Sequence, residues 1–534
     1  MSLYANAGKI RKEDFRMKLN YKRTILVGFA FFLISAFWQA YDATIPVILT
    51  NKFGMSQTWS GVIMALDNIL AVFMLPIFGA LSDKCLGNKY GKRTPFITIG
   101  TVIAAVALLG LSFIDNAQLQ NISAVSEIND RASLEVIYDT QSHKELMTPD
   151  GDKFILSETF QREEFLAITS QIVDPEDADK MITNPDYTDY VAPARQAYAA
   201  EVTKNNPTPL ILFVVVLLVI LVAMSIFRSP AVALMPDVTI KPLRSKGNAV
   251  INLMGTAGGI IILVLGMVFA TSAVKNQLMN YYAYYGVVAG LMLLALVIFL
   301  ATVREKAWSR QMQEDSVRLG VEEDDDHAGK RKLQKAEVCS LLFILASIAL
   351  WYFGYNAVTS KYSVYAGNIL NMDYNTTLLL AQAAAIVAYL PAGIVASKIG
   401  RKKTIMAGVV MLSTAFACAS FLRSGSSVMV MNLLFALAGI GWATINVNSF
   451  PMVVEMCSGG DIGKYTGYYY TASMSAQIVT PMLSGFLMDK MGMTVLFPYA
   501  AAFAALALLT MFFVKHGDAK PEAKMGLEAL DAED

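Results

Sequence analysis

The chain has 534 residues, of which 55% are apolar and only 16% are charged, against about a quarter charged in a soluble domain. That composition excludes an ordinary water-soluble enzyme. Lys plus Arg and Asp plus Glu each number 43, and a net charge of zero gives no bulk attraction to nucleic acid, so no such partner is expected.

In chain order, the basic segment 1–23, with Lys9, Arg11, Lys12, Arg16, Lys18, Lys22 and Arg23, comes first. Six apolar runs follow at 24–49, 61–81, 95–114, 210–236, 248–271 and 281–303. A linker at 304–337 leads to six more, at 338–366, 376–396, 404–422, 428–451, 465–488 and 495–514, and a tail, 515–534. Each run approaches the roughly 20 helical residues that cross a hydrocarbon core. Backbone groups in lipid must be satisfied within the segment, so the runs are read as twelve transmembrane helices. The first is too long for a removed signal peptide and lacks a small-residue cleavage site.

Lys and Arg mark the cytoplasmic loops. They crowd the loops after the second, fourth and eighth runs: Lys84, Lys89, Lys92 and Arg93; Lys241, Arg244 and Lys246; Lys398, Arg401, Lys402 and Lys403. The alternate loops hold little beyond Lys52, Lys275, Arg423 and Lys490. Both termini are therefore expected in the cytoplasm of a multi-pass plasma-membrane protein, an inner-membrane one if bacterial. Cys85, Cys339, Cys418 and Cys457 fall in helices or on the cytoplasmic side, so no disulfide is expected, and no metal-type spacing or cofactor motif is present.

The halves repeat. Tyr41-Asp42-Ala43 matches Tyr355-Asn356-Ala357 at an offset of 314, which also carries Gly79 to Gly393 and Asp83 to Ser397. Five extra residues in the first loop lower the offset to 309, and further on Asp237 with Glu455 and Lys246 with Lys464 stand at 218. The difference, 91, nearly equals the 92 residues of 116–207, which have no partner. The chain thus reads as an all-α membrane protein of two pseudo-symmetric six-helix bundles, 24–303 and 338–514. The insert 116–207 carries seventeen acids and seven bases. Its apolar residues Ile155, Leu156, Phe160, Phe165, Leu166 and Ile168 recur at helical spacing, so it is read as a mostly helical external cap. Asn121-Ile-Ser and Asn375-Thr-Thr are external glycosylation sequons, meaningful in a eukaryotic secretory pathway. The acidic run 322–327 of the linker reads as a solvated tether.

Gly79-x-x-x-Asp83 followed by Gly91-Lys92-Arg93 resembles the loop signature of the major facilitator superfamily, with a weaker copy in the second half. Within it, the stretches 75–83, Lys92-Arg-Thr-Pro-Phe96, and Ser229-Pro230 through Leu234-Met-Pro-Asp237 to Arg244 and Gly247-Asn-Ala249 resemble sucrose transporters and the glycoside-pentoside-hexuronide cation symporters. The resemblance implies the major facilitator fold and transport of a sugar or glycoside. Two features depart from those groups: 71–75 lacks the paired acids of the melibiose type, and Val232 stands where sucrose transporters tend to carry Arg.

The loop charges also have a reading of their own. Asp83 with Lys92 and Arg93, and Asp237 with Arg244, can form cytoplasmic latches that open as the halves rock; Gly79 and Gly91 complete this expected gate.

An ionisable residue inside a membrane helix needs a reason. Asp42 and Asp67 lie at similar depth on consecutive helices and are the expected proton-coupling pair; their repeat partners, Asn356 and Ala381, are neutral. Arg228 sits toward the cytoplasmic side of the fourth run. Lys361 is expected to snorkel outward. A sugar needs hydroxyl partners and flat apolar faces, which selects Trp38, Gln39, Tyr41, Asn68, Arg228, Trp351, Tyr355, Asn356, Trp442 and Asn446 as substrate-binding candidates. The expectation is a monomeric secondary active transporter, neither an enzyme nor a cofactor protein, coupling H+ to sugar uptake by alternating access. An uncoupled facilitator or exporter, or a receptor using the insert, are the alternatives.

Overall fold

The structure, a computed structural model, describes residues 19–516 except 86, 88, 175–176, 241–242, 320–333, 455 and 457–461. The expected run 322–327, Lys241, Glu455 and Cys457 lie outside the described residues.

Three long helices come first: α1 (Tyr21–Asn51), α2 (Gln57–Lys84) and α3 (Thr94–Asn121). The insert follows, with α4 (Arg131–Gln141), β1 (Glu145–Met147), β2 (Lys153–Ile155), α5 (Leu156–Thr159), α6 (Arg162–Leu166), β3 (Gln171–Asp174), β4 (Asp177–Thr183) and α7 (Ala192–Asn205). Next come α8 (Thr208–Val238), α9 (Arg244–Val268), α10 (Tyr282–Thr302) and a short polar α11 (Glu305–Leu319). The second half contains α12 (Lys335–Tyr365), α13 (Tyr374–Ile399), α14 (Arg401–Ala419), α15 (Val428–Val454), α16 (Ile462–Met491) and α17 (Leu496–Phe512).

Every expected apolar run falls on one of these long helices. Ten are long and apolar enough to cross a membrane, judged on the described residues. The other two, α13 and α16, have comparable length and pack within the same bundles. Large apolar side chains such as Phe73, Val106, Val297, Val387, Leu433 and Phe512 are exposed around the outside. Exposed apolar side chains on so many of the long helices are what a lipid-facing surface requires.

Two apolar cores divide the bundle. One gathers α1, α2, α3, α8, α9 and α10 around Phe37, Phe213 and Tyr285, and the other gathers α12 to α17 around Trp351, Tyr362 and Phe497. A third core, with Leu134, Phe165 and Tyr187, fills the insert. The insert is less purely helical than its spacing suggests: β1 pairs with β2 and β3 with β4, each antiparallel. Neither hairpin has the length to show a period of two clearly.

The insert also begins later than expected. α3 runs on to Asn121, because polar groups satisfy its last turns. The Lys52 ammonium donates to both carboxylate oxygens of Asp115 at 2.7 Å and to the Met279 carbonyl at 2.7 Å, with Lys52 and Asp115 fully buried. Gln118 donates to the Lys52 carbonyl at 2.8 Å.

Candidate functional site

Accessibility along α1 follows one helical stripe. From Phe31 onward, Phe31, Ser35, Trp38, Gln39 and Asp42 are half-exposed, their neighbours are buried, and residues 43–51 are all buried. Steps of three and four residues place these side chains on one face. The repeat partner behaves alike: on α12, Tyr352, Tyr355, Asn356 and Thr359 are half-exposed and 360–366 are buried. A space therefore opens between the halves from the end bearing the termini and stops just past Asp42 and Asn356.

The closed end is built from cross-half contacts. Asp489 of α16 accepts the Gln57 N–H at 2.7 Å and the Thr58 N–H at 2.8 Å at the start of α2, and the Thr58 hydroxyl at 2.5 Å. An anion there is favoured by the unpaired N–H groups and the helix dipole. Lys361 is fully buried and donates to the Gln57 carbonyl at 2.6 Å. It does not snorkel outward, because α2 of the other half covers it and offers an acceptor. Close approach is enforced by Gly61 and Gly485: an added Cβ would lie 2.0 Å from the Pro481 carbonyl oxygen and 2.2 Å from the Gln57 carbonyl oxygen, respectively. Alongside, Ser272 donates to Asp373 at 2.6 Å, and the Thr271 and Tyr374 hydroxyls meet at 2.8 Å. Gln382 of α13 donates to Gln39 at 2.6 Å, tying the halves at the level of the stripe.

Most of the first-half candidates are brought together. Asp67 accepts from Asn68 at 2.8 Å and lies within electrostatic range of Asp42, Tyr41 and Arg228. The Arg228 guanidinium lies 5.8 Å from the Trp38 ring centroid. Asp42 has no hydrogen bond or ion pair with the described residues. In the second half Tyr355 stacks on Trp442 at 3.6 Å with their planes 3° apart, and Tyr352 meets Trp442 edge-on. Asn446 is buried one turn beyond Trp442, and Asn356 donates to the Tyr352 carbonyl at 3.0 Å.

Besides the buried Asn446, two candidates turn away from the space. Trp351 is fully buried in the second core and Tyr41 is buried likewise, and among the described residues neither the Trp351 indole nitrogen nor the Tyr41 hydroxyl has a hydrogen-bond partner. Trp351 lies one residue, about 100° of helix rotation, from the half-exposed Tyr352. Sequence spacing could not show which side of that boundary faces the open space.

The expected gate residues form one cluster at the end bearing the termini. Arg93 donates to Asp237 at 2.9 Å and also to Asp83 and Ser82, and Lys92 approaches Asp237 at 3.4 Å. Two expected latches are thus joined by a single guanidinium, wholly within the first half. Arg244 donates to the Pro236 and Thr239 carbonyls at 3.4 and 3.3 Å, capping the end of α8. Beneath them Glu305, buried at 2% exposure, accepts the N–H groups of Lys92, Arg93 and Thr94 at 2.7 to 2.8 Å. Gly91, at φ 133°, makes room, since a Cβ would lie 2.2 Å from the Glu305 carboxyl carbon. Gly79 faces Ser229 of α8, whose hydroxyl a Cβ would meet at 2.9 Å.

Glu305, Gln382, Lys361 with Asp489, and the Lys52–Asp115 pair were not among the site expectations. Gln382 is an uncharged residue inside the run 376–396, with nothing in the sequence to mark it. The others stand near the end of an apolar run, where a polar residue reads as a loop charge, and only their common position at helix ends facing other helices' termini offered a signal.

The sequence model of the Major Facilitator Superfamily matches residues 9–126, 197–388 and 376–530, leaving out most of the insert. Uncharacterized protein YqgE of Bacillus subtilis (strain 168) is 28% identical over 193 residues, 34% of this chain and 43% of that protein. The sucrose transport protein SUC4 of Arabidopsis thaliana is 29% identical over 73 residues, 14% of each chain. The chain spans less than half the length of the curated relatives it matches. Among solved structures, an inward open conformation of the xylose transporter XylE from E. coli superposes with a TM-score of 0.55 at 14% identity, covering 96% of this chain and 99% of that one. A bacterial homologue of the iron transporter ferroportin in an inward-facing state gives 0.56 at 11% identity over 93% and 100%. At these identities the likeness is one of fold.

Proposed function

Because the chain belongs to the Major Facilitator Superfamily, and is therefore a multi-pass membrane transporter rather than an enzyme, we propose that it couples H+ to the uptake of a sugar or glycoside by alternating access. It works as a monomer in the plasma membrane, with the basic loops and both termini in the cytoplasm.

The observation that carries the proposal is Asp42. Its carboxylate stands at the blind end of the accessible stripe without a hydrogen bond or ion pair to the described residues, beside Asp67, while its repeat partner is the neutral Asn356. A carboxylate kept unpaired inside a bundle is costly, and a proton or a substrate hydroxyl arriving along the stripe relieves that cost. Asp67, with Asn68 and Arg228 in range, is the second member of the relay. Across the space, the outer faces of the Tyr355–Trp442 stack and the Asn356 amide suit a sugar ring's C–H face and hydroxyls. Trp38 and Gln39 offer the same chemistry from the first half. When the halves rock, the cytoplasmic end closes as the opposite seal parts, and the Arg93 cluster keeps the first half's cytoplasmic helix ends together through the movement.

The test is uptake by protein reconstituted into liposomes. A thermal-shift panel of sugars, begun with sucrose, picks the substrate, since binding to the native state raises apparent stability. An inward proton gradient should then drive accumulation. Asp42→Asn should abolish accumulation while keeping exchange. Uphill uptake that survives in Asp42→Asn refutes the assignment, and flux without a pH-driven overshoot makes the protein a facilitator.

A further inference from the structure

The insert is fastened to the two halves in different ways. Toward the first half it shares an apolar core, since Val274 and Leu278 of the α9–α10 loop pack with Leu134, Phe165 and Tyr187. That joint is reinforced by Gln118, which donates to Thr203 at 3.0 Å, and by Gln196, which donates to Asn51 at 2.9 Å. It is also tight: at Gly54, φ 62°, an added Cβ would lie 2.3 Å from the Ala200 nitrogen.

Toward the second half the contact is small and polar, and much of it is carried by one turn. The β1–β2 turn is braced internally, with the Gly151 N–H on the Thr148 carbonyl at 2.9 Å and the Thr148 N–H on the Asp152 carbonyl at 2.8 Å. Its Pro149 carbonyl accepts the Met493 N–H at 2.7 Å. Gly151 and Gly492, at φ 100° and 90°, stand back to back: a Cβ on Gly492 would lie 2.4 Å from the Asp150 carbonyl oxygen. Asp150 approaches Arg423 at 3.7 Å, both half-exposed, and Thr188 donates to Asn371 at 3.4 Å.

Opening an apolar joint exposes hydrocarbon to water, whereas a few hydrogen bonds to backbone and an exposed ion pair exchange for water at little net cost. We propose that the insert rides with the first half, and that its β1–β2 turn is a detachable hook which engages the 491–493 loop and Arg423 to hold the halves closed at this end. This rests on the alternating-access reading. The hook must release each time the halves part there, so its strength sets how the two end states are populated.

Spin-label distances test this without a substrate. Cysteines replace exposed Glu158 on the insert, Lys275 on the first half and Ser427 on the second, two at a time, in a chain whose four native cysteines are replaced. The distance from 158 to 275 should stay single-valued. Those from 158 to 427 and from 275 to 427 should lengthen together when the hook is broken by Gly492→Val or, without touching the backbone, by Asp150→Lys. Asp489→Asn, which weakens the separate seal at α2, serves as the independent opener. If it lengthens 275 to 427 while neither hook variant does, or if 158 to 275 changes as the halves part, the hook is refuted and alternating access stands. If no variant changes 275 to 427, alternating access fails and the hook with it.

Discussion

Asp489→Asn is the most direct probe of the seal. In the closed arrangement the carboxylate accepts three donors from the start of α2, at 2.5 to 2.8 Å. An amide keeps one acceptor oxygen and turns an NH2 group toward an N–H donor, so one charge-assisted bond is lost outright and the other two lose their charge. Hydrogen bonds to charged groups contribute about 1.5 to 3 kcal/mol each, and the attraction of an anion for a helix start adds roughly 0.3 to 1 kcal/mol. The donors freed at a helix start can bind water once the seal parts, which offsets some of this. A net shift of about 2 kcal/mol toward the open state is expected, roughly 30-fold in the equilibrium. A ratio of about 100 closed to 1 open would fall to about 3 to 1 on the same scale, enough to appear as a second population in the 275 to 427 spin-label distance. Lys361→Gln should act in the same direction, and less than additively with Asp489→Asn, because both act on Gln57. An unchanged distance distribution in Asp489→Asn, with protein folded by circular dichroism, would refute the assignment of this contact as a seal.

Two further outcomes follow from charges outside the transport path. Asp115→Asn should destabilise the fold by about 3 to 5 kcal/mol, the cost of stranding a fully buried ammonium, read as a large drop in thermal midpoint. The double variant Lys52→Met with Asp115→Leu should recover most of it, and a double variant as unstable as the single would show the pair is not the cause. In the insert, burial together with Asp150 and Asp186 pushes the Asp189 carboxyl up to about 6. A raised carboxyl binds its proton more tightly in the folded form, so its stabilising contribution is complete below about pH 4 and is lost as pH rises through about 6. For this half-exposed group the effect is on the order of 1 kcal/mol after screening. The thermal midpoint should therefore rise between pH 7 and pH 5, and Asp189→Asn should flatten that rise; an unaltered slope would show that another group titrates.

The sequence by itself determined the layout. Apolar runs of membrane length force helices because backbone groups in lipid have no water to bond, and basic residues crowd alternate loops. The repeat offset, 314 at first and 218 beyond an unmatched stretch of matching length, separates two halves from an insert. It also singled out Asp42 against Asn356, since a charge in an apolar run stands out against a neutral partner. What the sequence left open is depth and facing. A stripe is periodic in any helix, but only packing decides whether it meets protein, lipid or water, and so Trp351 is core while Tyr352, one residue on, lines the space. Charges near run ends were equally ambiguous. Lys361, Asp489, Asp115 and Glu305 read as loop or topology charges because a polar residue ends an apolar run whether it meets water or another helix's terminus. Their partners lie more than sixty residues away in the chain, and only the tertiary fold brings a carboxylate to a helix start or an ammonium to a carbonyl. The two hairpins of the insert and the turn that reaches the second half belong to the same class: short elements with no periodicity to read, fixed by the contacts they make across the halves.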